Sequence, residues 1–303
     1  MQKTETDKTL VYRRGAIEWS LAGFFQVMLA AVIRHLRSLH VTTAQLMLIS
    51  FAGRIVVGVC WGLATVKNFS FLKLRHPGLV TGRSLVVFAA QLCNIEALKL
   101  LPLTTYTALT FLWPVLLTAW AGIRGESTSR WIWVGLGVSL TGVVVQTGMT
   151  AESLRSVGVL WMLTSAVFNV MNVRLGQQAI DKGERPETSL FWTSVAGLLV
   201  VGLWWMAKPS IFGPLPAAAG VLLPVLVGVL SALVQGLLTL AFRHGRLMAL
   251  RLLPFQFLQL VWSVLLDVFV LHLHLPVTVW IGAALAISGV MFDRIVKLRE
   301  LKK

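Results

Sequence analysis

Apolar stretches long enough to cross a membrane recur along the whole chain. A helix needs roughly 20 apolar residues to span the hydrocarbon core, and windows of that kind return about every 30 residues here. They leave no stretch long enough for a separate soluble domain. Charged residues make up only 13% of the 303 residues, about half the share of a soluble chain. The sequence therefore predicts a membrane protein and excludes a catalytic or nucleic-acid-binding head.

We predict ten membrane-spanning helices, because an isolated span in lipid must satisfy its own backbone polar groups and the alternation of barrel strands is missing. The fold class is thus an all-α polytopic membrane protein. A tail over residues 1–15 precedes the spans and a basic tail over residues 294–303 follows them. The predicted spans are 16–36, 43–65, 83–101, 103–123, 131–149, 157–175, 188–207, 220–242, 248–271 and 276–293.

Basic residues in the connections predict the orientation of the chain. If the N-terminus is cytoplasmic, the inner face collects 21 Lys and Arg residues, including Arg83, and the outer face only 5. The outer five are Arg34, Arg37, Lys99, Arg155 and Lys208. Since basic residues favour the cytoplasmic side, both termini are predicted in the cytoplasm, and the net charge of +15 needs no nucleic acid to explain it.

The two halves of the chain resemble each other. Trp133-Val-Gly135 and Gly142 in span five return as Trp280-Ile-Gly282 and Gly289 in span ten. Two further matches lie at nearly the same offset: Phe25-Gln-Val-Met28 with Phe168-Asn-Val-Met171, and Ala97-Leu-Lys99 with Ala241-Phe-Arg243. Because each repeat has an odd number of spans, five, its two copies enter the membrane from opposite sides. The pattern predicts two inverted five-helix repeats, 16–149 and 150–293, as in many secondary transporters.

Two stretches resemble the drug/metabolite transporter superfamily, EamA type. The first is Ala97-Leu-Lys-Leu-Leu-Pro-Leu-Thr-Thr-Tyr-Thr-Ala-Leu-Thr-Phe-Leu-Trp-Pro114, followed by Gly125-Glu126. The second is Pro254-Phe-Gln-Phe-Leu-Gln-Leu-Val-Trp262, followed by Gly282 and Gly289. The Gly-Glu pair has no equivalent after span nine, where His272-Leu-His274 stands. The resemblance covers about 16–293 and implies a ten-helix metabolite transporter of unspecified substrate.

Arg54 is the charge hardest to explain as an anchor, because it lies about ten residues from either end of span two. Such a residue normally faces the bundle interior or an aqueous cavity. It either packs helices together or binds an anion in a cavity. Glu96 in span three is its candidate partner, and as a carboxylate it could also take up a coupling proton.

Four more residues are candidates for coupling or gating. Asp267 is an acid in the outer third of span nine, and Glu18 and Arg174 lie near the cytoplasmic ends of spans one and six. Each of these three could equally be an interfacial residue. Pro114 lies inside span four and frees the carbonyl of Thr110, which predicts a kink.

Amides and aromatic side chains at membrane depth indicate a polar cavity, since a few placed hydrogen bonds orient a ligand in apolar surroundings. Helix-to-helix bonding is the alternative for any single amide. Tyr106, Trp113 and Trp161 are candidates to stack on a ligand. The amides are Gln26, Gln91, Asn94, Asn169, Asn172, Gln235, Gln256 and Gln259.

The sequence favours a carrier over other membrane proteins. A phosphate-binding loop, a hydrolase motif and a metal-ligand set are missing, so we expect no cofactor, no metal and no enzyme activity. Cys60 and Cys93 both fall inside spans, which excludes a disulfide framework. We expect an alternating-access transporter of a small polar or amphipathic metabolite in the cytoplasmic membrane, with protons as one coupling option. A channel and a sensor or scaffold are the alternatives. Spans five and ten, rich in glycine, are expected on the outside, where they could support a homodimer.

Overall fold

The computed structural model describes residues 2–101, 103–124, 130–147, 156–211, 213, 215–242, 258–269, 276–285 and 288–289. These residues form helices joined by turns, and no strand occurs among them. A further helical segment covers 277–285. The helices are α1 Gln2–Ser38, α2 Thr43–Val66, α3 Pro77–Leu100, α4 Leu103–Thr110, α5 Leu112–Ile123, α6 Arg130–Thr147, α7 Val157–Asp181, α8 Pro186–Ala207, α9 Leu222–Phe242 and α10 Leu258–Phe269.

Seven candidate spans in the described part of the chain are long and apolar enough to cross a membrane. They match the first four and the sixth to eighth predicted spans. The fifth predicted span is α6, which has a shorter apolar core over Trp133–Gly142, and the ninth and tenth lie partly outside the described residues. The seven spans are Arg13–Ser38, Thr43–Val66, Pro77–Leu100, Thr105–Ile123, Val157–Asp181, Pro186–Ala207 and Leu222–Ala241.

The outside of the bundle is apolar and its interior holds charge. Leu160 and Leu199 are 63% and 64% exposed, whereas Arg54 and Arg83 are only 5% and 2% exposed. A protein in water would bury the leucines and expose the arginines. This distribution therefore fits a molecule surrounded by lipid.

Two helix boundaries follow from local sequence. Thr42 caps α2, because its hydroxyl accepts from Gln45 N at 3.2 Å while Gln45 Oε1 accepts from Thr42 N at 2.8 Å. Pro77 stands in the first turn of α3, where a missing N–H costs nothing. The third span thus begins six residues earlier than predicted and includes Arg83.

The fourth span is broken. α4 ends at Thr110, Phe111 lies in a turn, and α5 begins at Leu112. Pro114 has no N–H to donate to the Thr110 carbonyl, so the helix cannot run through without a defect. The interruption expected from Pro114 is therefore confirmed.

Pairs of helices from the two halves hold the bundle together. α3 packs mainly on α7, α1 on α9, and α2 on both α8 and α9. Glycine permits the last contact: a Cβ placed on Gly228 would lie 3.1 Å from Gly53 Cα. Gly135 of α6 likewise faces the carbonyl of Gly289. At this point the small residues of spans five and ten therefore pack against each other within one chain.

Candidate functional site: a polar cavity between the two halves

A cavity of about 120 Å³ lies between helices of the two halves of the chain. Its wall contains residues of six spans that carry the predicted amides or aromatic residues, namely one, three, four, six, eight and nine. It also includes α2, which contributes Ser50 and Arg54. This volume is similar to that of an engineered cavity of about 150 Å³ that binds benzene in another protein.

Seven of the eight predicted amides line this single cavity. Gln256 lies outside the described residues. The structure therefore brings together residues that are up to 233 positions apart in the sequence. The seven are Gln26, Gln91, Asn94, Asn169, Asn172, Gln235 and Gln259.

Three of the polar side chains on the wall form a seam between α3 and α7. The Ser165 hydroxyl lies 2.7 Å from Asn94 Oδ1, to which it donates, and Asn169 Nδ2 donates to the same hydroxyl at 3.1 Å. Asn94 is thus bonded from α3 to α7, Asn169 bonds to the same hydroxyl within α7, and both amides also line the cavity.

Arg54 extends from α2 to the cavity wall. Its Nε donates to Ser231 Oγ of α9 at 2.6 Å, and its guanidinium carbon lies 5.2 Å from the centre of the Phe51 ring. The close approach of Gly53 and Gly228 brings α9 within reach of this bond. Glu96, expected as its partner, does not bond to it.

Some polar atoms on this wall have no hydrogen-bond partner among the described residues. They are Arg54 Nη1, Ser50 Oγ and Gln91 Oε1, and all three are buried. Ser50 and Arg54 are four residues apart and so share one face of α2. A buried polar atom without a partner is destabilising by about 1–3 kcal/mol, so this part of the wall is suited to a ligand that supplies the partners.

Arg83 is buried inside α3, whereas the sequence predicted it at the start of the third span among the basic residues of the inner face. Its guanidinium donates to three helices: to Asn172 Oδ1 at 3.0 Å, Ser189 Oγ at 2.6 Å and Thr239 Oγ1 at 3.2 Å. Arg83 is also close enough for its charge to repel that of Arg54. The signal that could have located it is Pro77, which places the start of α3 more than a turn before it.

Aromatic residues form one side of the cavity. Tyr106 of α4 and Trp113 of α5 both line it, on either side of the helix break. Trp113 stacks on Trp19 of α1 at a centroid distance of 5.8 Å, which fixes its ring. Trp161 does not line the cavity and packs against a hydrophobic cluster instead.

Glu96 lies in a second, wider space of about 760 Å³, which we call the vestibule. The Thr43 hydroxyl donates to Glu96 Oε1 at 2.5 Å, and Arg37 Nη1 donates to the same hydroxyl at 3.3 Å. Leu98 lies in the walls of both the vestibule and the cavity, so the two spaces adjoin there. The charged residues and the histidine around the vestibule are Arg34, Arg37, His40, Glu96 and Lys99.

Three other gating candidates, Glu18, Arg174 and Pro114, are not among the residues that line the cavity. Glu18 is partly buried in α1 and Arg174 is buried in α7. Pro114 is buried at the start of α5. Asp267 belongs to α10, where the structure describes the backbone and not this side chain.

Comparison with known proteins shows the fold and nothing finer. No family model and no curated protein matches the chain. One solved structure, described only as the crystal structure of a protein, superposes with a TM-score of 0.73 at 20% sequence identity. The match covers 98% of this chain and 99% of the other. The fold is therefore one that an experimentally determined structure shares along its whole length.

Proposed function

We propose that this protein is a secondary transporter of the EamA type, which moves a small polar or amphipathic metabolite across the cytoplasmic membrane by alternating access. The observation that carries the proposal is the cavity between the two halves, which seven amides and Arg54 line together with apolar side chains. A few polar groups in an apolar cavity are typical of small-molecule sites.

The packing of the helices supports inverted repeats. The first three spans are α1 to α3, the fourth is α4 with α5, and the sixth to ninth are α7 to α10. If each span of the first half corresponds to the span five places later, exchanging the halves turns the α3–α7 contact into the α9–α1 contact. The same exchange turns α5–α7 into α10–α1 and α2–α9 into α8–α3, and all of these pairs are in contact. A transporter built from such repeats binds its substrate near the repeat interface, which is where the cavity lies.

Orientation follows from the basic residues. With both termini cytoplasmic, the α1–α2 connection and the vestibule face the outside, and the α2–α3 and α7–α8 connections face the cytoplasm. Glu184 of the α7–α8 connection accepts from the backbone N–H groups of Arg75 and His76, which ties the two inner connections together. The outer path to the cavity passes Leu98.

Counterflow in proteoliposomes tests the proposal. A thermal-shift screen of amino acids, nucleosides, vitamins and carboxylates first selects the compounds that bind. A carrier then takes up a labelled compound transiently above its equilibrium level when the liposomes are preloaded with the same unlabelled compound. A channel gives equilibration without this overshoot, and a sensor or scaffold gives no uptake beyond that of protein-free liposomes.

A matched pair of variants ties the activity to the cavity. Gln91→Leu removes a polar group from the wall, whereas Leu199→Ala trims a side chain on the apolar exterior. We expect the first to reduce counterflow at least about tenfold and the second to leave it unchanged. Equal effects of the two variants would contradict the assignment of the cavity.

A further inference from the structure

We infer that the ligand of this cavity is a compact organic carboxylate, bound through Arg54 Nη1 and Ser50 Oγ. This inference rests on the proposed function, because it names the class of substrate that the site takes. It starts from two unpartnered atoms whose residues lie on one face of α2 and both belong to the wall of the same cavity. A carboxylate has two oxygens and can accept from a guanidinium N–H and a hydroxyl together.

The charge around Arg54 requires a negative ligand rather than a neutral one. Its described contacts are the Ser231 hydroxyl and the Phe51 ring, both of them neutral. Arg83 bonds to Asn172, which lines the cavity, so a second positive charge lies beside the same wall. Two buried guanidinium groups in apolar surroundings raise the electrostatic potential of the cavity, and an anion lowers the energy of this arrangement more than a neutral group of the same shape.

The vestibule fits the same class of ligand. Arg34, Arg37 and Lys99 surround it against a single carboxylate, Glu96. Excess positive charge around the vestibule raises the local concentration of anions and speeds their association. The vestibule adjoins the cavity at Leu98, so an anion attracted there lies one side chain from the Arg54 site.

The apolar part of the cavity wall predicts that the anion carries an organic group. Leu29, Val87, Leu109 and Met162 line the cavity together with the rings of Tyr106 and Trp113. An inorganic anion would leave this apolar surface without contact. The volume of about 120 Å³ limits the body to about the size of one six-membered ring.

Binding to the purified protein tests the inference without any transport step. Benzoate and benzamide have nearly the same shape, and only the first is charged at pH 7. We expect titration calorimetry to show benzoate binding at least about tenfold more tightly than benzamide and than inorganic phosphate. Equal affinity for benzoate and benzamide, phosphate binding as tight as benzoate binding, or binding of none of the three would overturn the inference.

Variants test which residues cause the preference for benzoate over benzamide. Arg54→Gln should abolish the preference for benzoate over benzamide, Arg54→Lys should restore part of it, and Ser50→Ala should weaken benzoate about tenfold. Arg124→Gln is the matched control, since Arg124 is exposed and lies over Trp120. If Arg54→Gln still prefers benzoate, Arg54 does not bind the carboxylate and the inference is wrong. If that variant does not fold, the Ser50→Ala result and the benzoate–benzamide comparison in the unchanged protein test the inference.

The two proposals fail separately. Preference for benzoate without counterflow of any compound leaves a carboxylate-binding protein that is not a carrier. Counterflow of neutral compounds without that preference leaves a carrier whose substrate is not a carboxylate.

Discussion

The two buried arginines differ in how completely their donors are used, and the difference separates structure from binding. Arg83 bonds to α7, α8 and α9 at once, so it ties four helices together at one point. Arg54 lines the cavity and bonds to one hydroxyl, and its Nη1 has no hydrogen-bond partner among the described residues. Identical side chains at similar burial thus serve packing in one case and, in our proposal, recognition in the other.

Arg83→Met should destabilise the protein, because it leaves the oxygens of Asn172, Ser189 and Thr239 without this donor. The loss is at least about 3 kcal/mol, which corresponds to a fall of roughly 5 to 10 °C in the apparent Tm of the purified protein. Arg124→Met, at an exposed position, serves as the control. An unchanged Tm for Arg83→Met would show that the bonds of Arg83 to α7, α8 and α9 do not stabilise the fold.

Glu96 is the carboxylate that the structure places on the path to the cavity. If it carries a coupling proton, Glu96→Gln should eliminate accumulation driven by a pH gradient while counterflow stays measurable. Thr43→Val is the matched variant, because it removes the hydrogen bond to Glu96 and keeps the acid. It should retain accumulation.

Two outcomes would argue against Glu96 as the coupling group. Undiminished accumulation by Glu96→Gln would move attention to Asp267. Loss of counterflow as well would make Glu96 a binding or structural residue.

At the scale of the helix, close backbone contact between α2 and α9 sets the position of Arg54. Gly53→Val should prevent this contact, because a Cβ at Gly53 would overlap the backbone of Gly228. Gly202→Val is the control, since nothing lies within 4 Å of a Cβ at that position of α8. Size-exclusion profiles and apparent Tm in detergent measure the difference. Equal behaviour of the two variants would contradict the packing described for α2 and α9.

For the whole molecule, the decisive prediction is topology. In a Cys60→Ser, Cys93→Ser background, a cysteine at Lys208 should react with an impermeant maleimide added to intact cells. Cysteines at Lys73 and Lys303 should react only after permeabilisation, because the positive-inside rule predicts the basic connections in the cytoplasm. Lys73 and Lys208 are both exposed, so accessibility of the side chain does not limit the comparison. Labelling of Lys73→Cys from outside would reverse the orientation and place the vestibule in the cytoplasm.

The sequence alone determined the properties that depend on one segment at a time. Hydropathy located the seven described spans, although α3 begins at Pro77 and α7 ends at Asp181, beyond the predicted bounds, and Pro114 indicated the break in the fourth. The seven amides on the cavity wall were also predictable, since a polar side chain at membrane depth must turn away from lipid. These signals are local, so they can be recognised in the sequence without knowing which helices pack together.

Only the tertiary structure decided which groups meet. Arg83 was counted among the inner-face charges because the predicted span began there, but its three partners lie 89, 106 and 156 residues away, and only packing brings them to it. Glu96 pairs with Thr43 rather than Arg54, and Ser50 joins the cavity wall, because packing sets the rotation of each helix about its axis. In lipid the outward face of a helix follows from hydropathy, but its inward contacts depend on close fits such as that of Gly53 on Gly228, which exist only once both helices are in place.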